Sequence, residues 1–491
     1  MIQIRFLLIA LLGSGCTIGC CFAARAGPSN APPPAFKTFA AGLTFKAGNL
    51  AGDGAAPPVA RTGVFYPSAY GADPTGVNDS TSALQRTIDA AFAHVLLPGG
   101  GGVPFIGGLS NTGGAVVDLQ GGGLRVSKPL ALGSGGGMRL CCGTLIAAPS
   151  FPTDAFLLVG AGHLEDITIE DVAFECGGRG GAVQLTNPLR VTIARVFMIH
   201  FATIGIHVLK GHEVHVTDSF LGEFEWGESG SGTGGKTTNT TGTAIQIDGQ
   251  DHWISDIVIF YSHRGVVLNG GALVLSNTHI YNNGDEALYV AGHAVRVLGC
   301  YFDFSRVVVV DPVAVDISHS LFLGGTGVEI RSSGTGALVS GLTVVNNQFV
   351  LGDAPSSIGD IWEAVYLNTT AGMFRSVNST DISGNANPPA TYGSHVGASQ
   401  RLRQTVIRQT LRRGFLPSAS WEFDLTDALV FPVHVAPLHV TFSVEAEEGF
   451  PRAVLRPIKA ELNGSVKVLI ESEQPFSGAV HIVARQAGIF G

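Results

Sequence analysis

Three acidic side chains in the middle of the chain have the types and spacing needed for acid–base chemistry. Asp285 and Glu286 are adjacent, directly after the turn Asn283-Gly284, and Asp303 follows further along the chain. Hydrolysis of a glycosidic bond requires a carboxylic acid that protonates the leaving oxygen and a carboxylate that activates water or attacks. We therefore predict that these three residues are catalytic, without assigning acid and base. An ordinary polar turn is the alternative interpretation.

Three arginines close to these carboxylates could bind an acidic substrate. Arg264, Arg306 and Arg331 fall at equivalent or nearby turn positions of successive repeats, and guanidinium groups pair in bidentate fashion with carboxylates. His263 could add a hydrogen bond or a proton. Because the chain has a formal net charge of −9, an acidic substrate would be held by this local patch and not by overall charge. Solvated turn residues are the alternative.

A second group of ionisable residues shares a different turn. His212, Asp248 and Asp251 lie in the segments Lys210-Gly211-His212-Glu213 and Asp248-Gly249-Gln250-Asp251-His252. They are an alternative catalytic set, and structural turns are the competing interpretation. Trp226, in a polar insertion between residues 223 and 243, is a candidate for stacking on a sugar ring.

The elements that would position these residues are short strands that repeat about every 21 residues. Such a period, with glycine, asparagine and aspartate turns between the strands, is typical of one coil of a β-solenoid. Stacked coils are ~4.8 Å apart, so carboxyls on neighbouring coils can reach the ~6.5–9.5 Å separation of inverting hydrolases. Two apolar ladders show the repeat: Ile259, Ile280, Tyr301 and Phe322, and then Leu268, Val290, Val310 and Ile330.

The flanking segments complete the predicted organisation. Residues 1–26 are typical of a secretory signal peptide, and residues 27–63 form a Pro/Ala/Gly-rich leader. Residues 64–394 form the solenoid, and residues 395–491 a short helix and a small β-rich module. A capping box of Ser82 and Gln85 begins an amphipathic helix, which would cover the N-terminal end of the solenoid.

A secreted chain would be extracellular, with no membrane segment after signal cleavage. Charged residues are only 14% of the chain and glycines number 67, which excludes a disordered or nucleic-acid-binding protein. We expect a monomer without metal or cofactor. Four cysteines lack zinc-site spacing and either form disulfides or are buried as apolar residues: Cys141, Cys142, Cys176 and Cys300. Five asparagines are candidate glycosylation sites: Asn78, Asn239, Asn368, Asn378 and Asn463.

Several stretches resemble one superfamily. The segment Tyr70-Gly71-Ala72-Asp73-Pro74-Thr75-Gly76, with Asn78-Asp79-Ser80, looks like the N-terminal signature of the pectate-lyase-like β-helix proteins. From about Val64 to the C-terminus the chain resembles the plant quartet-type polygalacturonases, for example at Val117-Asp118-Leu119-Gln120-Gly121-Gly122. The resemblance implies an all-β, right-handed, single-stranded parallel β-helix (pectin lyase-like) that hydrolyses α-1,4-galacturonan (homogalacturonan) in the pectic polysaccharide of the cell wall or apoplast.

The chain departs from the motifs of the related family-28 glycoside hydrolases, which run Asn-Thr-Asp, Gly-Asp-Asp, Gly-His-Gly and Arg-Ile-Lys. Gly284-Asp285-Glu286 matches the second motif with one Glu for Asp, and Glu329-Ile330-Arg331 partly matches the fourth. The first slot has Arg264 in place of aspartate, and the third slot has no histidine. Asp303 is the expected substitute for the missing carboxylate. Two rival functions remain: a calcium-dependent pectate lyase with an arginine base, and a non-catalytic protein that binds cell-wall polysaccharide.

Overall fold

Short parallel strands, stacked in register along one axis, form the body of the molecule. The computed structural model describes residues 63–96, 114–223, 240–281, 283–324, 327–334, 336–350, 363–368, 370–372, 374–378, 380–386, 401–402, 406–425, 435–444, 453–455 and 467–486. The predicted signal peptide and nearly all of the leader lie outside these ranges, as do Trp226, Asn239 and Asn463. All described residues belong to one compact unit, Ala56–Gly491.

Two parallel sheets make up the solenoid, which confirms the predicted right-handed parallel β-helix. The eleven-strand sheet contains Leu130–Leu132, Phe156–Gly160, Gly181–Thr186, Ile204–Leu209, Thr243–Ile247, Arg264–Leu268, Glu286–Val290, Arg306–Val310, Val328–Arg331, Glu363–Asn368 and Arg401–Leu402.

The twenty-four-strand sheet covers the other sides of the coils. It contains Val64–Phe65, Thr75–Asp79, Ala115–Asp118, Gly123–Val126, Gly135–Gly136, Met138–Ala147, Leu164–Glu165, Thr168–Glu175, Pro188–Ala194, Phe197–Ile199, His212–Thr217, Phe220–Gly222, Trp253–Ser255, Val258–Phe260, Val274–Ser276, His279–Tyr281, His293–Leu298, Tyr301–Asp303, Val313–Ser318, Leu321–Leu323, Leu338–Val345, Gln348–Val350, Ser376–Asn378 and Asp381–Ser383.

The register of the strands corrects both predicted ladders by one residue. Ile280 pairs with Phe302, not with Tyr301, and Val290 pairs with Val309, not with Val310. Paired residues on neighbouring coils are 19 to 22 positions apart here, so the predicted steps of 20 to 22 select the neighbour of the true partner at one point in each ladder. A slip of one residue turns a side chain to the opposite face of a sheet. Accordingly Phe302 is buried in the core, whereas Tyr301 is partly exposed.

The predicted helix is present and covers the first coils. Helix Thr81–Leu96 buries Leu84, Ile88 and Phe92 against the solenoid core. The helix begins before Ser82, so Ser82 is not its cap. Instead the side chain of Gln85 accepts a hydrogen bond from the backbone N–H of Ala131 (2.8 Å) and donates one to its carbonyl (2.9 Å). These bonds satisfy backbone groups at the edge of the eleven-strand sheet, which is how an exposed edge is protected.

The C-terminal segment is β-structure where the structure describes it. The strands are Val406–Asp424, Val435–Val444, Ala453–Leu455 and Lys467–Gln486, and their pairings are antiparallel. The helix predicted within residues 395–413 is therefore wrong from Val406 onward. The basic pattern of recurring arginines suggested a helix there, but pairing with residues 478–485 decides the conformation.

The four cysteines outside the predicted signal peptide are free thiols. Cys141, Cys176 and Cys300 are buried and Cys142 is partly buried. Of the two predicted alternatives, burial as apolar residues is therefore confirmed and disulfide formation is wrong. Burial raises the pKa of Cys300 to about 11, which keeps this thiol protonated and unreactive at neutral pH. Within the described ranges, no helix is long and apolar enough to cross a membrane.

A column of stacked phenylalanines predicts a large loss of stability on truncation. Phe322 lies between Phe302 (ring centroids 5.0 Å apart) and Phe349 (4.5 Å) in the core. Phe322→Ala should lower the free energy of unfolding by about 3–5 kcal/mol, because it removes apolar contacts and leaves a cavity. Phe220→Ala is the matched control, since Phe220 is 50% exposed. Urea unfolding of both variants measures the loss of stability. Equal losses for the two variants would contradict the core position of Phe322.

Candidate active site

The turn that carries Asp285 is held by hydrogen bonds to the coils on both sides. The backbone N–H groups of Gly284 and Asp285 donate to the carbonyls of Ser262 and His263, each at 2.7 Å. The buried Asn283 accepts a hydrogen bond from the Ser262 hydroxyl (2.6 Å), and its N–H donates to the Ser305 hydroxyl (2.9 Å). Three coils therefore fix the point at which the chain enters strand Glu286–Val290.

Each of the three predicted arginines lies beside a carboxylate. Arg264 Nε is 2.8 Å from Glu286, and Arg306 Nη2 is 2.6 Å from Asp285. Arg331 Nε is 2.8 Å from a third carboxylate on its own strand. The guanidinium side chains remain 37%, 28% and 29% exposed, respectively. The structure thus brings the predicted arginines together with two of the three predicted catalytic residues, in what we call the Arg–carboxylate cluster.

The third carboxylate, Glu329, was not selected from the sequence. It is only 1% exposed and accepts hydrogen bonds from Tyr366 Oη and Asn368 Nδ2, each at 2.7 Å. Burial would raise the pKa of Glu329, but these bonds and Arg331 outweigh it, so the net shift is downward. The Nδ2 atom of Asn368 is also the atom that would carry a glycan, and glycosylation there would leave it one N–H for this bond.

Asp285 and Glu286 behave as one titrating pair. Burial and the neighbouring Asp285 raise the pKa of Glu286. Burial would also raise the pKa of Asp285, but the hydrogen bond with Glu286 and the charges of Arg306 and Arg264 lower it overall. The environments of these neighbouring carboxyls thus move their pKa values apart. Asp285, whose pKa is lowered, is 27% exposed, and Glu286, whose pKa is raised, is 1% exposed.

The contact between these two carboxyls has a consequence for mechanism. A general acid and a water-activating base on opposite sides of one glycosidic bond are ~6.5–9.5 Å apart, and an acid and a nucleophile are ~5–5.5 Å apart. Asp285 Oδ1 and Glu286 Oε1 lie 2.6 Å and 3.5 Å from the same atom, Arg306 Nη2, so these two oxygens are closer together than the acid and base of an inverting hydrolase. An inverting reaction therefore requires another carboxyl.

Asp303 lies outside the Arg–carboxylate cluster. It ends strand Tyr301–Asp303 of the twenty-four-strand sheet, three residues before Arg306, and pairs with Tyr281 of the preceding coil. Burial raises its pKa to about 6. Its Oδ1 atom is buried and has no hydrogen-bond partner within the described ranges. A carboxyl in this environment keeps its proton at mildly acidic pH, as a general acid must.

The sequence comparison supplies the family. No protein-family model matches the chain. Over 456 residues, the chain is 30% identical to Polygalacturonase QRT3 of Arabidopsis thaliana, which covers 88% of this chain and 86% of that protein. The chain belongs to the quartet-type polygalacturonases.

Solved structures with the same coiled architecture are more distant from this quartet-type polygalacturonase. The endo-xylogalacturonan hydrolase of Aspergillus tubingensis is 10% identical with a TM-score of 0.47, and the alignment covers 69% of this chain and 94% of that one. The A-module of mannuronan C-5 epimerase AlgE4 from Azotobacter vinelandii is 14% identical with a TM-score of 0.41, over 67% and 98% of the chains. At these TM-scores neither likeness identifies a substrate.

The second group of ionisable residues is divided between the two sheets of the polygalacturonase fold. Asp248 accepts hydrogen bonds from Gln246 (2.8 Å) and Asn269 (2.7 Å) at the eleven-strand sheet, and contacts His207 Nε2 (2.8 Å). His212 Nδ1 lies 2.9 Å from Asp251, and both side chains are about half exposed. Asp248 therefore does not form a single site with His212 and Asp251. Its partner His207 was missed because it lies 41 residues earlier, on another coil.

The carboxylates of the cluster do not fit a calcium site. Asp285, Glu286 and Glu329 are each bonded to an arginine, whereas calcium requires several carboxylate or carbonyl oxygens directed at one point. In the part of the chain that the structure describes, three metal-ligand atoms come together only at Asp118, Cys141 and Cys142. Two thiols are not the oxygen ligands that calcium prefers.

Proposed function

We propose that the protein is a secreted glycoside hydrolase of the cell wall that cleaves α-1,4-galacturonan in pectin. The observation that carries the proposal is the Arg–carboxylate cluster, in which arginines of successive coils surround the Asp285–Glu286 pair and keep exposed N–H groups. Galacturonate residues carry one carboxylate each, and partly exposed guanidinium groups one coil apart suit a chain of such sugars.

Two roles follow from the environments of the carboxyls. Asp303, with its pKa raised to about 6, donates the proton to the leaving oxygen. Asp285 of the Asp285–Glu286 pair, whose pKa is lowered, activates the attacking water. Carboxyls whose environments move their pKa values apart are the usual basis for such an assignment. Arg264 replaces the aspartate of the first family motif and binds the substrate carboxylate, with His263 beside it as a further contact.

The rival lyase function is not favoured by the cluster. A calcium-dependent lyase would need the carboxylates to bind the metal, and each of them is paired with an arginine instead. The non-catalytic alternative rests on the two altered motifs, since arginine–carboxylate pairs could bind a polysaccharide without cleaving it. Turnover decides between these functions.

Incubation of the purified protein with polygalacturonic acid tests the proposal. Reducing ends should form with or without a calcium chelator, with no ultraviolet absorbance from unsaturated sugars. The Asp285→Asn/Glu286→Gln double variant should form no reducing ends above background, while Asp248→Asn should stay active. Absorbance that disappears with the chelator would establish a lyase. Binding of polygalacturonate without any product would leave a non-catalytic protein, and an active double variant would place catalysis elsewhere.

A further inference from the structure

A cavity on the twenty-four-strand sheet lies away from the Arg–carboxylate cluster. Its volume is about 620 Å³, within the range of small-ligand sites. One outward-facing residue of each coil contributes to its floor in strict register. The register runs through five successive strands: Arg139, Thr168, Thr192, His215 and Trp253.

An aromatic pair and several free polar groups line this cavity. The rings of His215 and Trp253 are stacked with centroids 4.7 Å apart, and Trp253 is 38% exposed. The side chains of Thr168, Thr192 and Glu213 form no hydrogen bond with other described residues. Aromatic surface beside hydroxyl and carboxylate groups is the combination that binds a pyranose, through its apolar face and its hydroxyls.

The charges around the cavity exclude the acidic polymer that would bind at the Arg–carboxylate cluster. Both arginines that line the cavity are already paired with carboxylates, whereas Glu213 has no ion-pair partner among the described residues. Arg190, for example, holds Asp166 through Nε (2.8 Å) and Nη2 (3.0 Å). A polyanion would be repelled here, while a neutral sugar would not. Arg139 is paired with Glu170, so the lining charge that no ion pair compensates is that of Glu213.

We propose that this cavity binds a neutral oligosaccharide, with Trp253 and His215 as the stacking surface and Glu213, Thr168 and Thr192 as hydroxyl partners. The site is separate from the Arg–carboxylate cluster, which belongs to the other sheet, and from Asp303, which lies on a different column of the twenty-four-strand sheet. It would hold the protein on a neutral polymer of the wall while galacturonan is bound at the cluster. Neutral pectic side chains and cellulose share this chemistry, and the probes below distinguish them.

Isothermal titration with β-1,4-galactotetraose, cellotetraose and trigalacturonate tests the site. All titrations use the Asp285→Asn/Glu286→Gln background, so that binding is measured without cleavage and independently of the proposed function. At least one neutral tetrasaccharide should bind, and Trp253→Ala should raise its dissociation constant about tenfold. Phe220→Ala, which removes an exposed ring elsewhere on the same sheet, should leave the affinity for this tetrasaccharide unchanged. Neither substitution should change the affinity for trigalacturonate.

A second variant guards against loss of the fold. Glu213→Gln keeps the shape of the side chain and should weaken the same tetrasaccharide, with an unchanged thermal unfolding midpoint. Trp253→Ala in the unmodified protein should also keep the rate on soluble polygalacturonate. The proposal is overturned if neither neutral tetrasaccharide binds, or if both variants bind it as tightly as the parent protein. It is also overturned if Trp253→Ala weakens the binding of trigalacturonate alone.

Discussion

Asp303→Asn is expected to lower the rate of polygalacturonate hydrolysis by about 10²–10⁴-fold, the usual contribution of a general acid. The change replaces a proton donor with an amide of the same shape, so binding of the substrate should be retained. Since burial raises the pKa of Asp303 to about 6, the parent enzyme should lose activity as the pH rises through about 6 and the donor ionises. The variant's residual activity should lack this decline. Initial rates between pH 4 and pH 8 measure both effects.

Asp316→Asn provides the matched control. Asp316 lies on the next coil of the same sheet, in strand Val313–Ser318, and its Oδ1 atom is also buried without a hydrogen-bond partner in the described ranges. It is on a different column of the sheet, so its replacement should leave both the rate and the pH profile unchanged. An Asp303→Asn enzyme with full activity and an unchanged decline near pH 6 would show that another carboxyl is the acid.

Much of the fold could be predicted because solenoid coils repeat a local pattern. The alternation of short apolar runs and polar turns fixed the parallel coils, and the spacing of Leu84, Ile88 and Phe92 fixed the N-terminal helix. The exact register could not be predicted, because a coil that gains or loses one residue changes nothing in the local pattern. The C-terminal strand from Val406 could not be predicted either, since its conformation depends on a partner near Arg485.

The Arg–carboxylate cluster was predictable in part for the same reason. Arg264, Asp285 and Arg306 follow turns at equivalent places in successive coils, so stacking alone brings them together. Tyr366 was missed because the coil before it is longer, with residues 351–362 outside the described ranges. The contact between Asp285 and Glu286 depends on side-chain direction, which the spacing of residues does not give. Their shared contact with Arg306 is what excludes them as the acid and base of an inverting reaction.

Arg306→Ala should destabilise the protein by about 3–5 kcal/mol, the usual cost of leaving buried charges without their partner. Arg306 lies 2.6 Å from Asp285 and 3.5 Å from both Glu286 and Glu329, and the last two are only 1% exposed. Polygalacturonate hydrolysis should also fall sharply, because Arg306 would no longer position Asp285 and the pKa of the proposed base would rise. Urea unfolding at pH 7 measures the loss of stability.

The pH dependence separates this explanation from a simple loss of packing. In the parent protein the pKa values of Asp285 and Glu329 are lowered, so their contribution to stability is present above the pKa of the unfolded chain, ~4, and is lost as the pH falls through the folded values. Without Arg306 the folded pKa values rise, so protonation relieves the buried charge and the difference from the parent protein should shrink at pH 4.5. Arg296→Ala, which removes an exposed arginine from strand His293–Leu298, should change stability little at either pH. A loss for Arg306→Ala that is equally large at pH 4.5 would mean that the aliphatic part of its side chain, and not its charge, holds the cluster together.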